Sequence, residues 1–377
     1  MKIPHFLFSD LGLVSFANLF QTIFGAIFWI ALASILILDN YGKIQFDLAI
    51  PSILGAVGLL GLNITVIVYT AKGNQKIKYQ ANFLVLIASI GISIPLYFIN
   101  WTLPALLISH NFFAMAIAYL LGQKRYKEYS AVIIGSRVTQ LILSFGLYFV
   151  IGTDGILAGY AIAFLIFSYR FFSNLKFSGI GISEIKPHWN FTLNNFGTHI
   201  IMMIYSWLDK VIIAIIYGFS TLGLYTLGYQ FQSAIGFVPS TLSQYLLPQE
   251  ASGNDTKKIR IIGYISSAIL TVFAIFLIPI FLPLLFPGFE EATVPAMIMM
   301  LTLFPATVVS IAHSQLQGRG KSRPVLIGTI IFVTIMMSGI LVLGQLYGLE
   351  GIAVSLVISY IAQSLYIWLY VKFKSKL

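Results

Sequence analysis

A stretch of about twenty mostly apolar residues, the length a helix needs to cross the hydrocarbon core of a bilayer, recurs along this whole chain. Nothing else in the sequence restricts the fold so strongly. Twelve such stretches lie at approximately 12–37, 48–70, 79–99, 102–122, 130–151, 154–173, 193–217, 225–247, 262–286, 292–315, 324–346 and 351–371. Hydrophobic residues make up 58% of the chain and charged ones 9%, with a mean hydropathy of +0.92. A water-soluble domain is about a quarter charged. A chain this apolar could not cover its surface in water, so lipid is expected to be the solvent for most of it. The fold class that follows is an all-α polytopic membrane protein with twelve transmembrane helices.

The basic residues test that count independently. Lys2 precedes the first stretch, and Lys72, Lys76 and Lys78 separate the second from the third. Further groups are Lys124, Arg125 and Lys127; Arg170, Lys176 and Lys186; Lys257, Lys258 and Arg260; Arg319, Lys321 and Arg323; and Lys372, Lys374 and Lys376. With twelve spans all of these, 19 of the 22 Lys and Arg, fall on one side. The other side has Lys43 and the acids Asp39, Asp47, Asp154, Glu290, Glu291 and Glu350. Cytoplasmic loops carry the excess of Lys and Arg, which puts both termini in the cytoplasm. The apolar run after Lys2 is too long for a signal-peptide core and reads as a retained first helix. The net charge of +10 is thus spent on topology, and no nucleic-acid partner is expected.

The longest polar connection, about Asn174 to Trp189, divides the chain into two six-helix bundles, 1–178 and 179–377. Short motifs recur at matching places. Gly152-Thr153-Asp154-Gly155-Ile156 resembles Gly348-Leu349-Glu350-Gly351-Ile352, and Tyr41-Gly42 follows the first span much as Gly223-Leu224-Tyr225 follows the seventh. Gly-acid-Gly is also ordinary turn chemistry; the matching positions favour a repeat. Halves with an even number of spans share one orientation, so a pseudo-twofold axis would run along the membrane normal, with a site between the halves.

Polar residues inside the spans are costly where they face lipid and mark a wet interior. Residues three, four and seven apart share a helix face. Asn195, His199, Ser206, Lys210 and Tyr217 share one; Arg137, Gln140, Ser144 and Tyr148 another; Gln230, Ser233, Ser240 and Gln244 a third; Thr302, Ser310, His313 and Gln317 a fourth. Asn18 and Gln21 add to the first span, and Ser355, Ser359 and Gln363 to the last. The expectation is a polar cavity in which Arg137 and Lys210 supply positive charge. Asp209 and Lys210 are adjacent, and neighbours on a helix point about 100° apart. Separate partners are therefore expected, Lys210 towards the cavity and Asp209 towards another helix or a proton. His110 has only Asn111 beside it and reads as structural.

No phosphate-binding glycine loop opens a helix, no HExxH or paired metal-ligand pattern is present, and the chain has no cysteine. An ATP-driven pump, a membrane hydrolase and thiol chemistry are disfavoured; no enzyme activity, cofactor or metal is expected.

The run Trp207-Leu208-Asp209-Lys210-Val211-Ile212-Ile213, then Leu222-Gly223-Leu224-Tyr225, then Leu247-Pro248 resembles the "D-K-x-x-I … L-G-x-Y … L-P" pattern of the O-antigen-type flippases. These form the polysaccharide branch of the multidrug/oligosaccharidyl-lipid/polysaccharide exporter superfamily. Leu60-Gly61-Leu62 fits as well, whereas the first span lacks that family's basic start and "R-x-L-G" ending. The resemblance implies a flippase that moves an oligosaccharide on polyprenyl pyrophosphate across the cytoplasmic (inner) membrane by alternating access. Arg137 and Lys210 would then hold the pyrophosphate or acidic sugars. Gln21, Gln140, His199, Ser206, Gln230, Gln244 and His313 would line the glycan path, and Asp209 is the candidate for coupling to H+ or Na+. Membrane lipid, a polysaccharide polymerase and glycosyltransferases are the partners implied. A multidrug/cation antiporter, a peptidoglycan-precursor flippase and a non-transporting component of polysaccharide assembly stay open.

Overall fold

The computed structural model describes residues 10–176, 180–236, 246, 256–318 and 321–374. The described elements are helices, in the order α1 (Asp10–Ile35), α2 (Leu38–Leu59), α3 (Leu62–Ala71), α4 (Ile77–Ser93), α5 (Thr102–Gly122), α6 (Tyr126–Ile151), α7 (Thr153–Ile166), α8 (Tyr169–Ser173), α9 (Trp189–Ile235), α10 (Lys257–Leu285), α11 (Thr293–Met300), α12 (Leu303–Gly318) and α13 (Ser322–Lys374). By length and composition seven of the described helices can cross a membrane, or nine if each of two bent pairs is one span. The chain is a multi-pass membrane protein.

Most interruptions have a local cause. Leu60 and Gly61 take positive φ, 53° and 70°, and α2 meets α3 at 49°. Gly61 must be glycine for a second reason: a Cβ there would lie 2.5 Å from the Phe196 nitrogen and the Thr192 oxygen of α9. Thr65 and Thr192 share a buried hydroxyl hydrogen bond of 3.0 Å one turn away. The bend of 44° between α11 and α12 falls at Leu301–Thr302. Pro305 lies four residues beyond Leu301, and a proline ring clashes with the carbonyl of residue i−4. Pro279 and Pro283, by contrast, lie inside a continuous α10, as membrane helices tolerate.

Two long helices are broken by glycine. Gly218 interrupts α9 at φ 86°, ψ 171°, and Gly348 interrupts α13 at φ 58°, ψ −137°. Gly152, between α6 and α7, has φ 69°, ψ −148°. L side chains are excluded from this region, so each glycine ends one helix and starts the next without a loop.

The packing divides into two compact units. Unit 1 holds 1–28 and 44–211, and unit 2 holds 29–43 and 212–377. The chain thus passes between units inside α1, α2 and α9. In unit 1, α6 packs along α7 and α5. Ser144 is fully buried and donates to the Ile156 carbonyl at 2.9 Å. A Cβ on Gly159 would lie 2.4–2.6 Å from the Leu143–Ser144 backbone. Ser144 therefore belongs to a helix seam and not to a cavity wall. At the end of this unit where the basic loops lie, Glu128 bridges Arg125 (2.6 Å) and Arg170 (2.5 Å). That network lets the polar stretch 126–129 form the first turn of α6.

In unit 2 the α13 hairpin closes on itself. Gly339 admits the side chain of Ser355, Gly344 packs on Ile352, and Gly328 packs on Ile367 and Tyr366. Ser355 and Ser359 are buried and donate back to the carbonyls of Gly351 and Ser355, 2.8 and 2.6 Å away. In the same unit Gly42 of α2 meets Gly223 of α9. A Cβ on Gly42 would run into the Phe219 carbonyl, and one on Gly223 would lie 2.6 Å from the Leu38 carbonyl. Each glycine faces the carbonyl four residues before the other. Ser220 and Asp39, each three residues before its glycine, are hydrogen-bonded at 3.2 Å.

Candidate functional site: a cationic cluster in unit 1

Arg137 sits midway along α6. The helix begins at Tyr126 rather than near residue 130, which places Arg137 about 16 Å from its start at 1.5 Å per residue. Its guanidinium donates to Gln140 Oε1 at 2.7 Å and to the Tyr160 hydroxyl of α7 at 3.5 Å. It lies 5.3 Å from the centre of the Phe164 ring, within cation–π range. Gln140 is 3% exposed and is one turn along from Arg137, as the spacing predicts. Among the described residues no carboxylate pairs with Arg137.

The same Phe164 ring is 5.5 Å from His110 of α5. Through the Phe164 ring, α5, α6 and α7 meet at one place. His110 itself is exposed. The sequence reading set His110 aside as structural; here it joins the cluster, with Tyr160 and Phe164. A charged residue at mid-span together with a histidine at mid-span was the available signal. Nδ1 of His199 is buried without a hydrogen-bond partner among the described residues.

Asp209 and Lys210, neighbours in sequence, also lie within ion-pair distance of each other. Lys210 Nζ is 3.3 Å from Asp209 Oδ1 and donates to the Ser206 carbonyl at 2.9 Å. It also stands 5.3 Å from the Trp207 ring centre. The two residues are 5% and 7% exposed. The backbone offset of 100° holds, but the four-carbon lysine stem folds back one turn to the Ser206 carbonyl and brings the ammonium beside the carboxylate. A buried pair of this kind offsets much of its own charge, and breaking it by removing one member is costly. The Ser206 hydroxyl donates to the Met202 carbonyl at 2.9 Å.

Gln21, Arg137, Gln140, His199, Ser206, Asp209 and Lys210 all belong to unit 1, and Gln230 and His313 to unit 2. Gln21 and Gln230 are half-buried. Nε2 of His313 is buried without a hydrogen-bond partner among the described residues. Gln244, Ser240 and the Leu247-Pro248 end of the flippase-like pattern lie outside the described residues. A second correction concerns Asp47, which the span boundaries put in an outer loop. It is inside α2, buried, and accepts a 3.2 Å hydrogen bond from Asn100. Asn100 and Trp101 also donate to Asp154, at 3.5 and 3.0 Å. This acidic group marks the end of unit 1 where α6 turns into α7, about 20 Å along the helix from Arg137. Among the described residues no group of three or more His, Asp or Glu is placed to hold a metal ion.

No family model and no curated protein matches the chain by sequence. Solved structures do match in three dimensions. Lipid II flippase MurJ, in an inward closed conformation, superposes with a TM-score of 0.77 at 15% identity, over 96% of this chain and 87% of that one. An inward-facing multidrug resistance MATE family transporter of the MOP superfamily gives 0.74 at 14% identity, over 94% of each. A MATE protein in the bent conformation gives 0.67 at 11% identity, over 97% of this chain and 96% of that one. At these identities the likeness speaks for the fold, and the chain has the fold of MOP-superfamily transporters.

Proposed function

We infer that this protein is a flippase that carries an oligosaccharide linked to polyprenyl pyrophosphate across the cytoplasmic membrane by alternating access. One observation carries the reading: among the described residues, the charge at the middle of unit 1 that lacks an opposite partner is positive. Arg137 has no carboxylate partner among the described residues, while Asp209 is taken up by Lys210. A pyrophosphate suits such a site, since guanidinium pairs with phosphate oxygens in a planar, two-point fashion. Gln140, Tyr160 and His110 stand beside Arg137 with the amide, hydroxyl and imidazole groups that sugar hydroxyls require. The first of the structural relatives is itself named for a lipid-linked substrate.

The architecture proposed for this activity is two six-helix halves with cytoplasmic termini. Division of α9 and α13 at Gly218 and Gly348, with Thr153–Ile166 as a short span, supports twelve spans. Asp209 is the candidate for H+ or Na+ coupling, because its protonation would release Lys210. A polymerase and glycosyltransferases would act on either side of this step. The likeness to multidrug transporters supports a cation antiporter as the second reading, which the positive charge at Arg137 opposes.

The test is Arg137→Ala beside Arg137→Lys, read as surface glycan per inserted protein. Loss of a desolvated charged contact costs about 2–5 kcal/mol, so the alanine variant should lose at least about tenfold of its export at normal abundance, and lysine should restore part of it. Normal surface glycan in Arg137→Ala would end this reading.

A further inference from the structure

The two ends of the α13 hairpin enclose a groove of about 650 Å³ in unit 2, lined by Arg323, Ile327, Tyr366, Leu369, Tyr370 and Phe373. Gly348 turns the hairpin, and Gly328 packs on Ile367 and Tyr366. The first turn of one arm therefore lies beside the last turns of the other. This is the end of the hairpin with the basic residues; Glu350 is at the opposite end.

The walls of the groove have two chemistries. Ile327, Leu369 and Phe373 are exposed apolar side chains, continuous with exposed Leu326, Ile330 and Leu365 on the same two arms. In a membrane helix such residues meet acyl chains. At the helix ends the lining changes to one guanidinium and two phenols. Arg323 is exposed, and among the described residues no carboxylate pairs with it. Lys372 Nζ lies 4.7 Å from the Trp368 ring centre and 5.4 Å from that of Phe373, beside the groove. Aromatic rings and basic side chains collect at the level of the lipid headgroups. Here they border a cleft with room for a headgroup, and charge favours a negative one.

We propose that this groove binds one anionic phospholipid of the leaflet on the basic side. Its phosphate meets Arg323 and the hydroxyls of Tyr366 and Tyr370, and an acyl chain lies along Ile327, Leu369 and Phe373. The site is independent of the flippase reading, because it requires only that the hairpin lie in the bilayer. It would place a resident lipid against unit 2.

The experiment is native mass spectrometry of the full chain in detergent, titrated with phosphatidylglycerol or phosphatidylcholine of matched acyl chains. Wild type should retain one phosphatidylglycerol with roughly tenfold or greater preference over phosphatidylcholine, the size of a charge-assisted hydrogen bond. Arg323→Ala should abolish that preference, and the Tyr366→Phe, Tyr370→Phe double variant should reduce it. Lys124→Ala, a surface change on unit 1, should leave it intact. Arg323 is exposed, so its variant should fold; an unchanged melting temperature verifies this. Equal retention of the two lipids by wild type, or undiminished preference in Arg323→Ala, overturns the proposal. Displacement of the lipid by glycerol phosphate at equal concentration would show a site for the anion alone and also overturns it.

Discussion

The α6–α7 hairpin of unit 1 and the α13 hairpin of unit 2 are built on one plan and furnished differently. Gly152 and Gly348 have nearly the same backbone angles. Three residues on, Gly155 and Gly351 press against the carbonyls of Leu147 and Leu343, each five residues before its break. A constant offset of 196 links Gly152, Gly155 and Leu147 to Gly348, Gly351 and Leu343. By the same offset Arg137 corresponds to Val333, Gln140 to Met336, Tyr160 to Leu356 and Phe164 to Tyr360. Phe332 and Tyr360, which correspond to Ser136 and Phe164, pack edge to face at 4.7 Å. The turn is common scaffold, and the charge was placed in one copy.

The comparison can be broken in three places. The largest effect should come from the buried charges, which the described spans of unit 2 lack. Asp209→Asn or Lys210→Met alone breaks a buried ion pair, and should cost about 3–5 kcal/mol and lower membrane abundance. The double variant should recover most of that loss. If Lys210→Met left abundance and melting temperature unchanged, the pair would have no structural role. Next come the shared turns. Gly155→Val and Gly351→Val each force a side chain against main chain and should destabilise by roughly 1–3 kcal/mol or more. Similar losses in detergent melting are expected, and a tolerated valine in one hairpin would dissolve the correspondence. The smallest effect concerns the seam. Unit 1 has its small residue on the second helix, Gly159, and unit 2 on the first, Gly339. Gly339→Ala should cost about 1 kcal/mol, and Ser355→Gly should suppress it; an additive cycle would deny that the two touch.

Much of this fold was legible because the apolar run and the basic loop are both dictated by the bilayer. The glycine repeats were visible as well, because only glycine allows those turns. The boundaries failed where polar residues find partners. Asp47 entered a helix because Asn100 meets it, and α6 began early because Glu128 bridges two arginines. The expected sixth span, 154–173, is divided into α7 and α8 around Phe167–Ser168. The site was legible in its residue types at Arg137 and Gln140, which one helix face brings together. His110, Tyr160 and Phe164 join them through tertiary packing, which periodicity does not report. The contact between Asp209 and Lys210 was not legible, because face geometry locates Cβ atoms and not the end of a flexible lysine.

The meeting of Gly42 with Gly223 has a genetic consequence. At Gly339 the obstacle to a larger residue is the Ser355 side chain, which a second mutation can remove. At Gly42 and Gly223 the first obstacle is main chain on each side, the carbonyls of Phe219 and Leu38. No side-chain change elsewhere shortens a carbonyl. A selection for revertants of Gly42→Ala should therefore return glycine at position 42 itself, whereas revertants of Gly339→Ala should include second-site suppressors at position 355.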